Sequence, residues 1–310
     1  MKKNIILVLL IFTLLLTLAA CGADTPTAAP GTLPGMASIT PDSGEASGTS
    51  ASSTETTPAP YTNPPTRPHG GSTETATSTP PASESASVSL PATSAPSEKN
   101  GYLVCLDAGH QGKANTDQEP LGPGSSEMKT KVSTGTQGRT SGVAEYVVNL
   151  QVALKLQKLL KARGYEVMMI RSDHEVNISN AERAQMANEA MVDAFVRIHC
   201  NGTDNTGVNG FLAMIQTPNN PWNGALYGEF KRLAQCIVDE ACKVTGAKNM
   251  GLLETDGMTG INWCQRPTAL VEMGFMTNPE EDMKLVNDAY QDLLAEGIAN
   301  GLDKFFGIER

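Results

Sequence analysis

Hydrophobic positions follow three regimes along the chain. Ile5 to Ala20 is an apolar run interrupted only by Thr13 and Thr17. From Gly22 to Lys99 no apolar period survives. From Gly101 onward, short apolar runs alternate with segments of helical spacing. Tyr102 to Ala108 reads as a buried strand ending at Gly109. Ser141 to Arg163 predicts a helix: Val143, Val147, Leu150 and Leu154 recur at helical spacing, and Gly164 supplies a stop. Tyr165 to Ile170 is the next strand. Ser179 to Met191 predicts a helix with Ser179 as N-cap and Glu182 at the capping-box position. Ala194 to Cys200 and Gly210 to Gln216 read as strands, Gly224 to Lys243 as a long helix, Thr268 to Gly274 as a last strand and Asp288 to Phe306 as a last helix. This alternation predicts an α/β fold: a single domain with a twisted, mostly parallel sheet covered by helices on both faces. Ligands of such sheets sit at the C-terminal ends of strands. Gln111 to Thr140 is a long Gly/Ser-rich insertion, and loops of that length are functional or disordered.

Composition explains the first two regimes. Of 19 prolines, 13 lie between Gly22 and Lys99, where Tyr61 is the lone aromatic residue. Such a segment buries too little surface to offset ordering entropy and reads as a disordered Ser/Thr/Pro-rich linker. As a random coil it would span roughly 50 Å; a spacer of no selected length reads equally well. Lys2 and Lys3 before the apolar run match a signal peptide, since the run is short for a membrane span. The run ends in Leu18-Ala19-Ala20-Cys21, which resembles a bacterial lipobox with Cys21 as the lipidated residue. The expected organisation is a lipoprotein signal peptide at 1–20, a lipid-anchored linker at 21–99 and one domain at 100–310. The expected location is extracytoplasmic, anchored to the cell membrane through Cys21. The 33 acidic and 23 basic residues give a net charge of −10, which argues against a nucleic-acid partner.

Candidate chemistry gathers at predicted strand ends. His110 follows the first strand and His199 ends the strand Ala194 to Cys200. Neutral imidazoles are good zinc ligands, and catalytic zinc sites typically use three protein ligands. Glu145, in the first turns of its helix among apolar neighbours, needs a partner and could be the third. Either histidine alone could equally be a structural residue, because the spacings carry no short-motif signal. Glu272 adds weight. It lies inside the apolar strand Ala269-Leu270-Val271-Glu272-Met273, where a charge is costly unless paired or functional, and it could serve as a general base.

Four segments in order carry a resemblance. Leu106-Asp107-Ala108-Gly109-His110, Ala144-Glu145-Tyr146-Val147-Val148-Asn149-Leu150, Arg197-Ile198-His199-Cys200-Asn201 and Val271-Glu272-Met273-Gly274-Phe275-Met276-Thr277-Asn278 resemble the signature segments of zinc-dependent N-acetylmuramoyl-L-alanine amidases of the family-3 type. The similarity spans about Gly101 to Phe306. It implies that His110, Glu145 and His199 hold Zn2+, that Glu272 is catalytic, and that the substrate is peptidoglycan. Departures are Ala108 where many members have proline, Arg197 where many have serine, and Cys200 after the second histidine. Asn149, one turn past Glu145, is expected either to support that ligand or to face solvent. Asn201 and Arg183 are candidate substrate-binding residues, with structural hydrogen bonding as the other reading.

Five cysteines fall in the domain, and their odd number does not suggest a full disulfide framework. Buried free thiols are expected. Cys200 points to the opposite face from His199 and is not expected to ligate metal. His174 is expected in a surface loop. The insertion is too rich in Gly, Pro, Ser and Thr to form a helical plug, so no autoinhibitory plug is expected, and the protein is expected to be a monomer. Competing readings are a zinc peptidase of different bond specificity and a non-catalytic wall-binding lipoprotein.

Overall fold

The computed structural model describes residues 99–310. The predicted signal peptide, Cys21 and the linker up to residue 98 lie outside the described residues. Among the described residues, no helix is long and apolar enough to cross a membrane.

Eight strands and six helices alternate as expected, with additions. The strands are β1 (Leu103–Ala108), β2 (Asn115–Pro120), β3 (Met128–Val132), β4 (Glu166–Met169), β5 (Ala194–Asn201), β6 (Phe211–Ile215), β7 (Asn249–Glu254) and β8 (Thr268–Phe275). The helices are α1 (Glu145–Ala162), α2 (Asn180–Glu189), α3 (Tyr227–Thr245), α4 (Thr259–Asn262), α5 (Pro279–Leu285) and α6 (Asp288–Phe306). Six strands form one sheet in the order β4-β1-β5-β8-β6-β7. The first four run parallel; β6 is antiparallel to β8, and β7 parallels β6. The mostly parallel α/β sheet is therefore as expected, with an antiparallel step at one side.

Alternation along β1 explains the two covered faces. Cys105 joins Phe195 of β5 and Ala184 and Ala187 of α2 in one apolar cluster. Val104, Leu106 and Ala108 point the other way and are fully buried as well. Helices α1 and α3 pack on the strands, and α6 packs on both of these helices. Cβ atoms built on Gly297 and Gly301 of α6 would come within 2.5 Å of Ala241 and Ile237 of α3, so bare backbone is what lets these helices approach. Every residue of β5 and β8 is buried, which accounts for their near-continuous hydrophobic runs.

The structure corrects three local expectations. The insertion is an ordered antiparallel hairpin, β2–β3, rather than an unstructured loop. Helix α1 begins at Glu145, and Ser141 instead lies in a turn whose hydroxyl donates to Asp282 Oδ1 at 2.6 Å. Leu150 is buried as expected, together with Glu145, Val148, Asn149, Val152, Ala153, Leu156 and Leu160, whereas Leu154 is exposed. Two polar residues on the inner face shifted the apparent apolar stripe. The Ser179/Glu182 capping box at the start of α2 is formed as predicted.

One ion cluster braces the sheet edge nearest the histidines. Asp107 of β1, fully buried, accepts from Arg183 Nη1 at 2.6 Å and Arg197 Nε at 2.9 Å. Burial alone would push this carboxyl up; the guanidiniums of Arg183 and Arg197 outweigh it and hold the group far below the usual carboxylate range. Its charge therefore stabilises the fold above the unfolded-state value near 3.9, and that stabilisation is lost as pH falls through the lower folded-state value. Asp107→Asn strands two buried guanidiniums and should cost about 3–5 kcal/mol. Denaturant unfolding from pH 7 to pH 3 checks it: the deficit should be full near neutrality and shrink at the acid end. A constant, sub-kcal difference would contradict the assignment.

Candidate metal centre

The centre assembles at the C-terminal ends of β1 and β5. His110 lies two residues past β1 in a left-handed backbone conformation, φ 59°. His199 lies two residues before the end of β5, and Glu145 opens α1. Donor atoms of these three side chains lie within 4.8 Å of one another. His199 Nδ1 is 3.2 Å from both His110 Nε2 and Glu145 Oε1, and His110 Nε2 is 3.3 Å from Glu145 Oε2.

The surrounding backbone fixes each ligand. His110 Nδ1 donates to the Ser133 carbonyl at 3.0 Å, which leaves Nε2 facing the cluster. Glu145 Oε2 accepts from Thr136 N at 2.8 Å, and Oε1 accepts from Cys200 N at 3.0 Å and Asn149 Nδ2 at 3.1 Å. Asn149 thus supports Glu145. A Cβ on Gly109 would come within 2.2–2.6 Å of the His199 ring, and a Cβ on Gly135, φ +77°, within 2.5 Å of Glu145 Oε2. Both glycines are required for space.

The donor set fits a metal ion. Two ring nitrogens and a carboxylate converge at 3.2–3.3 Å, a spacing that shared protons or a cation among them would satisfy. Burial pushes His199 down to about 4, so its imidazole is neutral at pH 7 and its lone pair is available. Burial opposes charging of His110 too, but Glu145 outweighs it and raises that group. The cluster therefore already attracts positive charge. Two histidines and a carboxylate are a common zinc ligand set that leaves a position open.

Glu272 of β8 stands beside His199 of β5 in parallel register. It is buried, and burial together with Glu145 pushes its carboxyl well above the ordinary value. Its Oε2 has no hydrogen-bond partner, and neither does His199 Nε2. All four residues line one cleft of about 470 Å³. Asn201, Thr136, Lys129 and Met258 contribute to its walls.

Residues 104–304 match the family model for N-acetylmuramoyl-L-alanine amidase, Amidase_3. The chain belongs to this amidase family. It is 29% identical over 226 residues to an N-acetylmuramoyl-L-alanine amidase from Mycobacterium tuberculosis, covering 68% of this chain and 90% of that one. The solved amidase Ami1 from Mycobacterium smegmatis matches 68% of this chain and 99% of its own, with 28% identity and a TM-score of 0.62. An N-acetylmuramoyl-L-alanine amidase from Clostridium difficile 630 matches 68% of this chain and all of its own, with 30% identity and a TM-score of 0.55.

Within the amidase fold the remaining candidates separate. Arg183 does not reach the cleft: it is fully buried, and its donors go to Asp107, Gln111 Oε1 and the carbonyls of Ala108, His110 and Ile178. Its role is structural, not substrate contact. Asn201 does line the cleft, and its Nδ2 is buried without a partner. Cys200 Sγ turns away toward Asn149 Oδ1 at 3.6 Å. The five described cysteines are free thiols. His174 packs edge-on to the Tyr146 ring and joins no metal-ligand cluster. Sequence reasoning missed Ser133, Gly135 and Thr136, which act through backbone atoms or missing side-chain volume and so leave no chemical signature.

The close approach of Gly109 to His199 generates a sharp expectation. Gly109→Ala should displace the ring and weaken zinc binding at least tenfold, while Asn149→Ala should weaken it about 10- to 100-fold by freeing Glu145. Competition of each variant with a chromogenic chelator measures both. Wild-type affinity in Gly109→Ala would show that the ring is not where the structure places it.

Proposed function

We propose that the chain is a zinc-dependent hydrolase of the amide bond between N-acetylmuramic acid and L-alanine in peptidoglycan. The observation that carries this is the convergence of His110, Glu145 and His199 beside the partnerless Glu272 carboxylate in one cleft of an amidase-family domain. The similarity to N-acetylmuramoyl-L-alanine amidases supports the same bond.

His110, Glu145 and His199 would hold the zinc ion. Bound there, zinc supplies Lewis acidity toward water and the amide carbonyl. Glu272 takes a proton from the water that attacks the lactyl carbonyl carbon. As the carbon–nitrogen bond breaks, Glu272 returns that proton to the L-alanine nitrogen. A carboxyl raised by burial suits this exchange, because it holds a proton more readily than a solvated carboxylate does. Asn201 Nδ2 is a free donor for a substrate carbonyl on the cleft wall. Asn149, Thr136 and Cys200 keep Glu145 from swinging away.

The same reading places the enzyme outside the cytoplasm. Lys2-Lys3, the apolar run and Leu18-Ala19-Ala20-Cys21 support export and lipidation at Cys21, with the proline-rich segment as a tether from membrane to wall. It acts as a monomer. A peptidase of different bond specificity and a non-catalytic wall-binding protein are the alternatives.

Digestion of purified peptidoglycan by the zinc-loaded protein, read by mass spectrometry, decides among these. Released stem peptides should begin at L-alanine. Glu272→Gln should lower the rate by at least about 100-fold, the scale of a lost general base, while retaining zinc. Removing zinc with a chelator should abolish product. Fragments cut within the peptide would move the enzyme to the peptidase reading, and zinc binding without any product to the binding-protein reading.

A further inference from the structure

A third buried arginine stands behind the metal centre and makes no hydrogen bond to Asp107. Arg171 follows β4 and is 2% exposed. Its guanidinium makes no hydrogen bond to a carboxylate. Instead Nε donates to the Ala108 carbonyl at 2.7 Å, and Nη2 to the carbonyls of Gly109 at 3.0 Å and Tyr146 at 2.8 Å. Nη1 donates to the Asp173 carbonyl at 3.0 Å and lies 3.5 Å from His174 Nδ1. Burial, then Arg183, pushes its guanidinium down to about 10, so the residue keeps its charge at a cost in this position.

The choice of carbonyls is informative. Ala108 and Gly109 are the two residues before His110, and Tyr146 follows Glu145 in the first turn of α1. One planar fork therefore ties together the backbones that carry two of the three ligands. These segments are 35 residues apart in sequence and share no strand pairing. The Gly109 carbonyl also accepts from Asn149 Nδ2 at 3.3 Å, the group that holds Glu145. His110 has a left-handed backbone, a conformation that persists only where the surroundings over-determine it. The carbonyls beside that bend accept from side chains: Ala108 from Arg171 and Arg183, Gly109 from Arg171 and Asn149. A guanidinium reaches several carbonyls at once from one plane, a geometry that a lysine ammonium lacks.

We propose that Arg171 is a positioning residue of the metal centre, setting the distance and angle between the His110 turn and the Glu145 helix. This rests on the reading of His110, Glu145 and His199 as metal ligands. It differs from Arg183, whose removal would strand Asp107 and damage the fold directly.

The test measures the metal rather than turnover. Arg171→Met removes the fork; Arg171→Lys keeps a charge without it. Full-length protein is assayed for zinc affinity by chelator competition, for the visible absorption of its cobalt(II) form, and for thermal unfolding. Both variants should fold yet bind zinc about 10- to 100-fold more weakly, the range seen when outer partners of metal ligands are removed. Their cobalt(II) bands should shift from the wild-type positions. Wild-type affinity and bands in both variants would overturn the proposal, even with lowered thermal stability. Loss of folding in both would overturn it equally, since Arg171 would then hold the fold and not the centre. Failure of the wild-type protein to bind zinc would strike the metal reading itself, which separates that failure from failure of the proposal.

Discussion

The arrangement depends on one buried carboxylate. Asp107 sits at zero exposure inside β1, three residues before His110, and two arginines converge on it. Arg183 brings α2 to the sheet, and Arg197 belongs to β5, two residues before His199. Each arginine then spends its other donors nearby: Arg183 on the carbonyls of Ala108 and His110, Arg197 on Asn180 Oδ1 at the start of α2. A Cβ on Gly260 of α4 would come within 2.1 Å of the Arg197 guanidinium, so α4 also closes on this charge. Such a cluster is weak evidence for stability in itself, because hydrophobic replacements of buried ion pairs are often as stable. Its value lies in direction. It fixes the ends of β1 and β5 relative to each other, and those ends carry the two histidines.

The centre draws on segments scattered through the chain: His110 and Glu145, separated by the insertion, then His199, then Glu272. Bringing them together costs chain entropy, which a cation held by the cluster would offset. The protein also prepares the site before any ion arrives. Backbone N–H groups of Thr136 and Cys200 already neutralise part of the Glu145 charge, and the Ser133 carbonyl already selects the His110 tautomer. Metal binding at this cluster would therefore be coupled to local folding but not identical with it.

Much of this was legible in the sequence, and the gaps have physical reasons. The strands β1, β5 and β8 announce themselves because double burial makes them continuous apolar runs, and the charged or imidazole exceptions in those runs, His199 and Glu272, stand out for the same reason. The start of α1 was misplaced because its inner face carries Glu145 and Asn149, which hydrophobic periodicity counts as outer positions. The substrate and structural readings of Arg183 stayed open in the sequence because nothing local reveals that Asp107, 76 residues earlier, pairs with it. Strand β7 escaped notice because its run Asn249-Met250-Gly251-Leu252-Leu253-Glu254 is interrupted by Gly251 and only half-buried, and α4 and α5 because four and seven residues are too few to show a helical period. Ser133 and Thr136 act through main-chain atoms, which any sequence supplies.

The insertion shows how a polar, glycine-rich stretch can still be rigid. The one apolar side chain its turn buries is Leu121, so most of its order comes from polar contacts with the rest of the domain. Both tryptophans of the chain supply it: Trp263 Nε1 donates to the Pro120 carbonyl at 2.9 Å and Trp222 Nε1 to Pro123 at 3.0 Å, while Asn262 Nδ2 donates to Leu121 at 3.1 Å. Gly122 is bare where the Trp222 ring lies against it. On the other side, the buried Glu119 carboxylate accepts from Ala181 N in the first turn of α2, where a helix favours negative charge. Asn180 Nδ2 donates to the Lys131 carbonyl at 2.8 Å. Tied at both ends, the hairpin delivers Ser133, Gly135 and Thr136 to the ligands in fixed positions while Lys129 and Thr130 line the cleft. The segment that shapes the cleft wall is thus continuous with the segment that holds the ligands, and a sequence change that loosened one would be felt by the other.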